Sequence, residues 1–237
     1  MGTLKGTDSV AVQAADYLKR KYHKPGNVYV GVVSRLDAVV SGVLVLARTS
    51  KAASRISEQI RSHSTSKRYL ALVEGQLEDT FRLSGGGFRD VVHYLRKNES
   101  LHRVESVGRK GDLAQEALLR LRLLKRLPSC SLVEVDLVTG RKHQIRVQLS
   151  AIGHPVLRDF KYGATTSSSI SRRDARGIGL HCYHVTIEHP TRHMPMTFHA
   201  MPGHWKQMFR MREGDLCWEQ LLENVKVIPP GSDLEIQ

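Results

Sequence analysis

The feature that most constrains this chain is a scatter of short β-rich segments with no regular strand–helix–strand rhythm. Residues 28–33, 42–47, 67–74, 133–137, 180–187 and 195–200 are dense in β-branched, aromatic and other apolar side chains. Within them Val133, Val135 and Leu137 alternate with residues of the opposite face, as a pleated strand requires. Helical patterns fall between. Thr7, Asp8 or Ser9 can cap a helix that lines up Ala11, Ala14, Ala15, Leu18 and Tyr22 before Pro25-Gly26 closes it. Ser50 is placed to cap a basic amphipathic helix with Ala53, Ile56 and Ile60 on its apolar side. Thr139-Gly140 opens a third, in which Ile145, Leu149 and Ile152 share a face and Gly153 supplies the stop. Short helices are expected around Trp205 and Trp218, ahead of the tail Pro229-Pro230-Gly231, while residues 114–124 fit helix or strand equally. Strands and helices mixed in this way predict an α+β fold, read as a single domain over residues 1–237.

Charge narrows the partner. Lys and Arg number 36 against 23 Asp and Glu, a formal net charge of +13. Cations in such excess favour an anionic polymer, because binding phosphates releases condensed counterions. Cys130, Cys182 and Cys217 are widely separated, odd in number and without a Cys-x-x-Cys pair, which suits a reducing compartment and a cytoplasmic location. Residues 1–17 lack the apolar core of a signal peptide, and no stretch of about 20 apolar residues could span a bilayer. Gly85-Gly86-Gly87 is followed by no phosphate-binding helix and reads as a flexible turn. Residues 164–177, rich in Ser and Arg, read as a mobile surface loop that RNA could touch.

Three segments carry candidate chemistry. Ser34-Arg35-Leu36-Asp37-Ala38-Val39-Val40-Ser41-Gly42 is a polar break between two apolar strands, which places Asp37 in a turn at strand ends. Turn capping is the common role of such an Asp. Thr139-Gly140-Arg141-Lys142-His143-Gln144-Ile145-Arg146 crowds long polar side chains at a helix start. There His143 and Arg146, three apart, share a face able to hold phosphate or pair with a buried carboxylate. The ordinary alternative is a solvated basic face. Lys67-Arg68-Tyr69-Leu70-Ala71-Leu72-Val73-Glu74-Gly75 sets an aromatic hydroxyl among cations, where it can stack on a base or simply pack in a sheet.

Taken together and in order, these segments resemble the RluA-like family of RNA pseudouridine synthases. The first is similar to that family's His-Arg-Leu-Asp-x-x-Thr-Ser-Gly signature. The second is similar to Gly-Arg-x-His-Gln-Ile-Arg, continued by Ala151-Ile152-Gly153-His154-Pro155 and by Asp159 to Tyr162-Gly163. The third is similar to Lys-x-Tyr-x-Ala-x-Val-x-Gly, with further echoes at Leu180-His181 and Glu188-His189-Pro190. The resemblance covers residues 28–200. It implies a mixed, mostly antiparallel central sheet with flanking helices, and isomerisation of uridine in ribosomal or transfer RNA without metal or organic cofactor. Asp37 would initiate cleavage of the glycosidic bond, Tyr69 would stack on the target base and assist proton removal at C5, and Arg146 would pair with Asp37 and orient it. Arg35 would sit at the RNA stack, with Lys67, Arg68, Arg141 and His143 as further RNA contacts. Oligomeric state is not written in the motifs, and a monomer is the simpler expectation.

Two residues depart from the family pattern: Ser34 stands where the family has His, and Val40 where it has Thr. The family's leading strand with its Lys-Pro-x-Gly element is not found ahead of the first helix. These departures leave open a catalytically impaired RNA-binding protein on the same fold. A zinc hydrolase built on the 12 histidines is disfavoured. His181 and His184 fall on a predicted strand, where residues three apart face opposite sides, and Pro190 and Pro195 break any helix carrying His189 and His193. A glycosidase would need a second carboxylate partnered with Asp37, and the matched segments offer none.

Overall fold

The computed structural model describes residues 9–78, 81, 87–111, 113–165 and 177–209. Thr7, Asp8, Gly85, Gly86, nearly all of the 164–177 loop, Cys217, Trp218 and the Pro229-Pro230-Gly231 tail lie outside the described residues. The chain divides into two compact units, one of residues 1–36, 44–65 and 187–196, the other of 37–43, 66–186 and 197–237.

The first unit holds helix α1 (Val10–Lys21), the two-residue strands β1 (Gly31–Val32) and β3 (Leu46–Ala47), and helix α2 (Ser50–Arg61). Ser9 caps α1 by accepting the amide of Val12, as expected. The cap of α2 is Thr49, one residue before the Ser50 predicted. Thr49 is extended, with φ −139°, and its hydroxyl accepts the Ala52 amide at 3.1 Å, whereas Ser50 is already helical. The strands expected at 28–33 and 42–47 shrink to short antiparallel pieces, Gly31 opposite Ala47 and Val32 opposite Leu46.

The second unit is built on an eight-stranded sheet, apart from residues 187–188 of one strand and 195–196 of another, which count with the first unit. Its long members are β4 (Ser66–Glu74), β5 (Arg89–Asn98), β6 (Arg103–Val107), β7 (Gln115–Arg126), β8 (Cys130–Leu137), β9 (Leu180–Glu188) and β10 (Pro195–His199), in the order β10-β9-β4-β8-β7-β5-β6. The short β2 (Ser41–Gly42) joins β9 in parallel, while β4 to β8 pair antiparallel. The sheet is therefore mixed and mostly antiparallel, in an α+β fold. The centre of β4 is covered on both faces: Leu70, Ala71, Leu72 and Val73 are fully buried, which explains its unbroken apolar run. The ambiguous 114–124 stretch resolves as β7, with Ala117, Leu119, Leu121 and Leu123 buried at every second position.

Helix α3 (Gln144–Ala151) packs on β5 and β6. It begins later than Thr139-Gly140, because the Gln144 side chain organises the preceding turn. Its Oε1 accepts the Thr139 hydroxyl and the Arg141 amide, each at 2.9 Å, and its Nε2 donates to the Leu118 carbonyl. Gly153, at φ +84°, ends the helix as expected. Trp205, fully buried, opens the short α4 (Trp205–Met208). Cys130 and Cys182 are buried. No described helix is long and apolar enough to cross a membrane.

Candidate active site

Asp37 reaches the second unit's sheet through the turn that follows it. The Val40 amide closes that turn on the Asp37 carbonyl at 2.9 Å. Ser41 and Gly42 then pair with His181 and Cys182 of β9. Gly42 is obligatory here, for its φ is +121° and a Cβ would sit 2.2 Å from the Cys182 carbonyl oxygen. The Ser41 hydroxyl meets His181 Nδ1 at 2.8 Å, and His181 Nε2 meets the Ala200 carbonyl at 2.8 Å. Since a carbonyl only accepts, Nε2 carries the ring proton and Nδ1 accepts from Ser41. Burial, with the nearby His204 adding to it, lowers the His181 pKa to about 4, so the ring is neutral at pH 7. Cys182 is in turn the β9 neighbour of Tyr69 on β4. One strand register thus brings the Asp37 turn and Tyr69 to the same place.

Arg146 completes the cluster from α3. Its Nε and Nη2 donate to Asp159 Oδ2 and Oδ1 at 2.6 and 2.8 Å, and its Nη1 donates to Asp37 Oδ2 at 3.1 Å. The Arg146 and Asp159 side chains are 7% and 1% exposed, whereas that of Asp37 is 29% exposed. The cation is therefore anchored on a buried carboxylate and presented to an accessible one. Burial opposes the charge on Arg146, but the bonds to Asp159 and Asp37 more than offset it and raise its pKa. The ring of Tyr162 lies under the guanidinium, 4.9 Å from centroid to Cζ.

His143 caps α3 from a left-handed conformation, φ 54°, and turns Nε2 to within 3.7 Å of Asp37 Oδ1. Its Nδ1 lies 2.6 Å from the Tyr162 hydroxyl. Burial lowers the His143 pKa, Asp37 opposes that shift, and Arg146, Lys161 and Lys142 reinforce it. The Tyr69 hydroxyl is pushed well above its ordinary range, first by burial and then by Cys182 and Asp37, so the phenol is neutral.

Asp37 thus meets Arg146, the pairing that the family resemblance implies, and also His143, with Tyr69 close enough to feel the Asp37 charge. The other expected RNA contacts are placed differently. Lys67 is half-buried on β4, and its pKa is lowered by burial. Arg68 is committed to the fully buried Glu134, 3.6 Å away, which also binds Arg122 and the Tyr183 hydroxyl. Arg141 is exposed and ties its Nε to the Glu116 carbonyl. Arg35, also exposed, belongs to the first unit, where the Ser34 hydroxyl donates to the Val45 carbonyl. The residues that sequence reasoning left without a role are Asp159, Tyr162 and Gln144. All three stand in the quoted motifs, so the signal was present. Among the described residues no group of three or more His, Cys, Asp or Glu is arranged to hold a metal.

The RNA pseudouridylate synthase family matches residues 5–151, well over half of the chain. The chain belongs to the RluA-like RNA pseudouridine synthase family. Among its relatives, the ribosomal large subunit pseudouridine synthase C of Haemophilus influenzae is 31% identical over 182 residues, covering 76% of this chain and 54% of that protein. The ribosomal large subunit pseudouridine synthase D of Zymomonas mobilis is 33% identical over 189 residues, covering 76% and 56%. The chain thus spans about half the length of the curated relatives it matches. Human RNA pseudouridylate synthase domain containing 1 shares the fold, with a TM-score of 0.65 at 23% identity over 90% of this chain and 84% of that one.

Proposed function

We propose that this member of the pseudouridine synthase family isomerises uridine to pseudouridine in structured RNA, with Asp37 as the catalytic carboxylate. The observation that carries the reading is the Arg146 fork, which grips buried Asp159 with two donors and directs a third at Asp37 beside Tyr69. In this reading Asp37 initiates cleavage of the N1–C1′ bond, and the released uracil turns while held against the Tyr69 ring. C5 then bonds to C1′, and its proton leaves toward the Tyr69 side of the site. Arg146 fixes the direction of the carboxylate. The neutral His143 stands on its other oxygen with Nε2 protonated, since Tyr162 can donate to Nδ1. The target nucleotide must leave its stack, which costs a few kcal/mol and least in loops; the net charge of +13 favours holding the extruded strand. The names of the bacterial relatives favour large-subunit ribosomal RNA over transfer RNA as substrate.

The test separates chemistry from binding. Asp37→Asn keeps the shape and removes the charge, so pseudouridine formation is expected to fall by about 10³-fold or more, as when a nucleophile is lost, while RNA affinity stays within about twofold. Equal activity in the native chain and the variant, or equal inertness, would overturn the assignment.

A further inference from the structure

A second feature of the same unit is a cleft that has Tyr162 in its lining. The cleft, of about 360 Å3, opens between β6 and α3, with Val104, Val147 and Tyr162 among its lining and Arg103, Ser106 and Lys161 around it. That volume falls within the ~300–1,000 Å3 of ordinary ligand sites. Both cations are exposed. Among the described residues neither has a carboxylate at ion-pair distance; Glu105, which shares the cleft, is held by Arg96 at 2.9 Å and Asn98 at 3.1 Å, with Arg103 acting on it from farther away. Lys161 donates to the His102 carbonyl at 2.9 Å, which keeps its ammonium at the rim while leaving its charge unneutralised.

The cleft is joined to the carboxylate by a common wall. Tyr162 lines it, accepts the Val104 amide at 3.3 Å, bonds His143 and supports the Arg146 guanidinium. Lys161 and the exposed Lys142 are also both near enough to act electrostatically on His143, the residue facing Asp37. Lys142 and Lys161 near His143, together with Arg103, therefore place positive charge, offset in part by Glu99 near Lys142 and by Glu105 near Arg103, along the cleft. Its floor is apolar and aromatic, which suits a sugar or base, and its rim suits phosphate.

We infer that this cleft takes the phosphodiester backbone of the RNA chain next to the target uridine, with Arg103 and Lys161 as its phosphate contacts. The inference rests on RNA being the substrate. It adds a specific binding site that keeps the flanking strand in line while the uridine occupies the Asp37 site.

The test reverses both charges, Arg103→Glu with Lys161→Glu, on side chains exposed enough that folding is retained and checked by circular dichroism. RNA affinity is read against salt concentration with an oligonucleotide carrying several nucleotides on each side of one uridine. Loss of two single-strand phosphate contacts should reduce the slope of log K against log salt by about 1.4. Affinity should fall about tenfold or more at low salt, with the kinetic loss in KM rather than kcat. Free uridine, which carries no flanking phosphodiester, should bind both proteins alike. Inorganic phosphate and uridine monophosphate, added as competitors, should displace the oligonucleotide only at millimolar levels. An unchanged slope and affinity would overturn the inference, and micromolar displacement by the mononucleotide would assign the cleft to a free nucleotide instead. Because binding is read without turnover, a chain that bound RNA through the cleft yet made no pseudouridine would refute the proposed reaction and leave this site standing.

Discussion

Arg146 shares one guanidinium between two carboxylates of very different accessibility, and the consequences of replacing it follow from that division. Removing a single partner from a buried ion pair strands the other charge, at a cost of about 3–5 kcal/mol. Arg146→Ala leaves Asp159, 1% exposed, in that position. Urea unfolding should show a loss of this size, and a midpoint indistinguishable from the native chain would contradict the role given to Asp159. Arg146→Lys, a point charge without a fork, should recover only part of the loss. Asp37 and Arg146 were legible in the sequence because both sit in motifs whose order is informative. Asp159 and Tyr162 lay in a quoted run without a role, since their significance depends on a partner 13 or 16 positions away that only packing supplies. Arg68 shows the converse: its motif was plain, but buried Glu134 across the ladder on β8 claims its charge.

Elements whose faces match a simple period were read correctly from sequence, and elements defined by their neighbours were not. The strands β4, β8 and β9 carry apolar runs that tolerate burial, and α2 carries a clean stripe of Ala53, Ile56 and Ile60, of which Ile56 is buried. The hairpin β5–β6 went unread because Arg89, Asp90, Arg96, Lys97 and Asn98 dilute its few buried positions, Val91, Leu95 and Val104. Strand β9 also carries a titration that sequence does not reveal. The pKa values of His181 and His184 are lowered to about 4, in each case chiefly by burial, with His204 adding at the first, and His199 and Arg68 at the second. An unfolded histidine titrates near ~6.5, so between pH 6.5 and 4 the unfolded chain binds more protons than the folded one. The corresponding stability is complete above about pH 6.5 and is lost as pH falls toward 4. The urea midpoint should therefore drop between pH 7.5 and 5, and the drop should shrink in His181→Gln. A midpoint independent of pH over that range would show that these rings are not buried in neutral form.

For the molecule as a whole, the motif order indicated the family, while the division into two compact units was not legible. Neither unit is continuous in sequence: residues 37–43 and 187–196 each belong with chain far from their neighbours. Hydrophobic periodicity reports on which face of an element is buried and carries no information on such exchanges. The proposed reaction rests on a single oriented carboxylate and asks for no metal. The decisive measurement is pseudouridine formation by the purified native chain on unmodified large-subunit ribosomal RNA transcripts, with transfer RNA transcripts alongside and a chelator present throughout. The proposed reaction yields pseudouridine at a defined uridine of the ribosomal transcript, undiminished by the chelator. Uridine left intact in both RNAs, or product that disappears when metal is withdrawn, would contradict it.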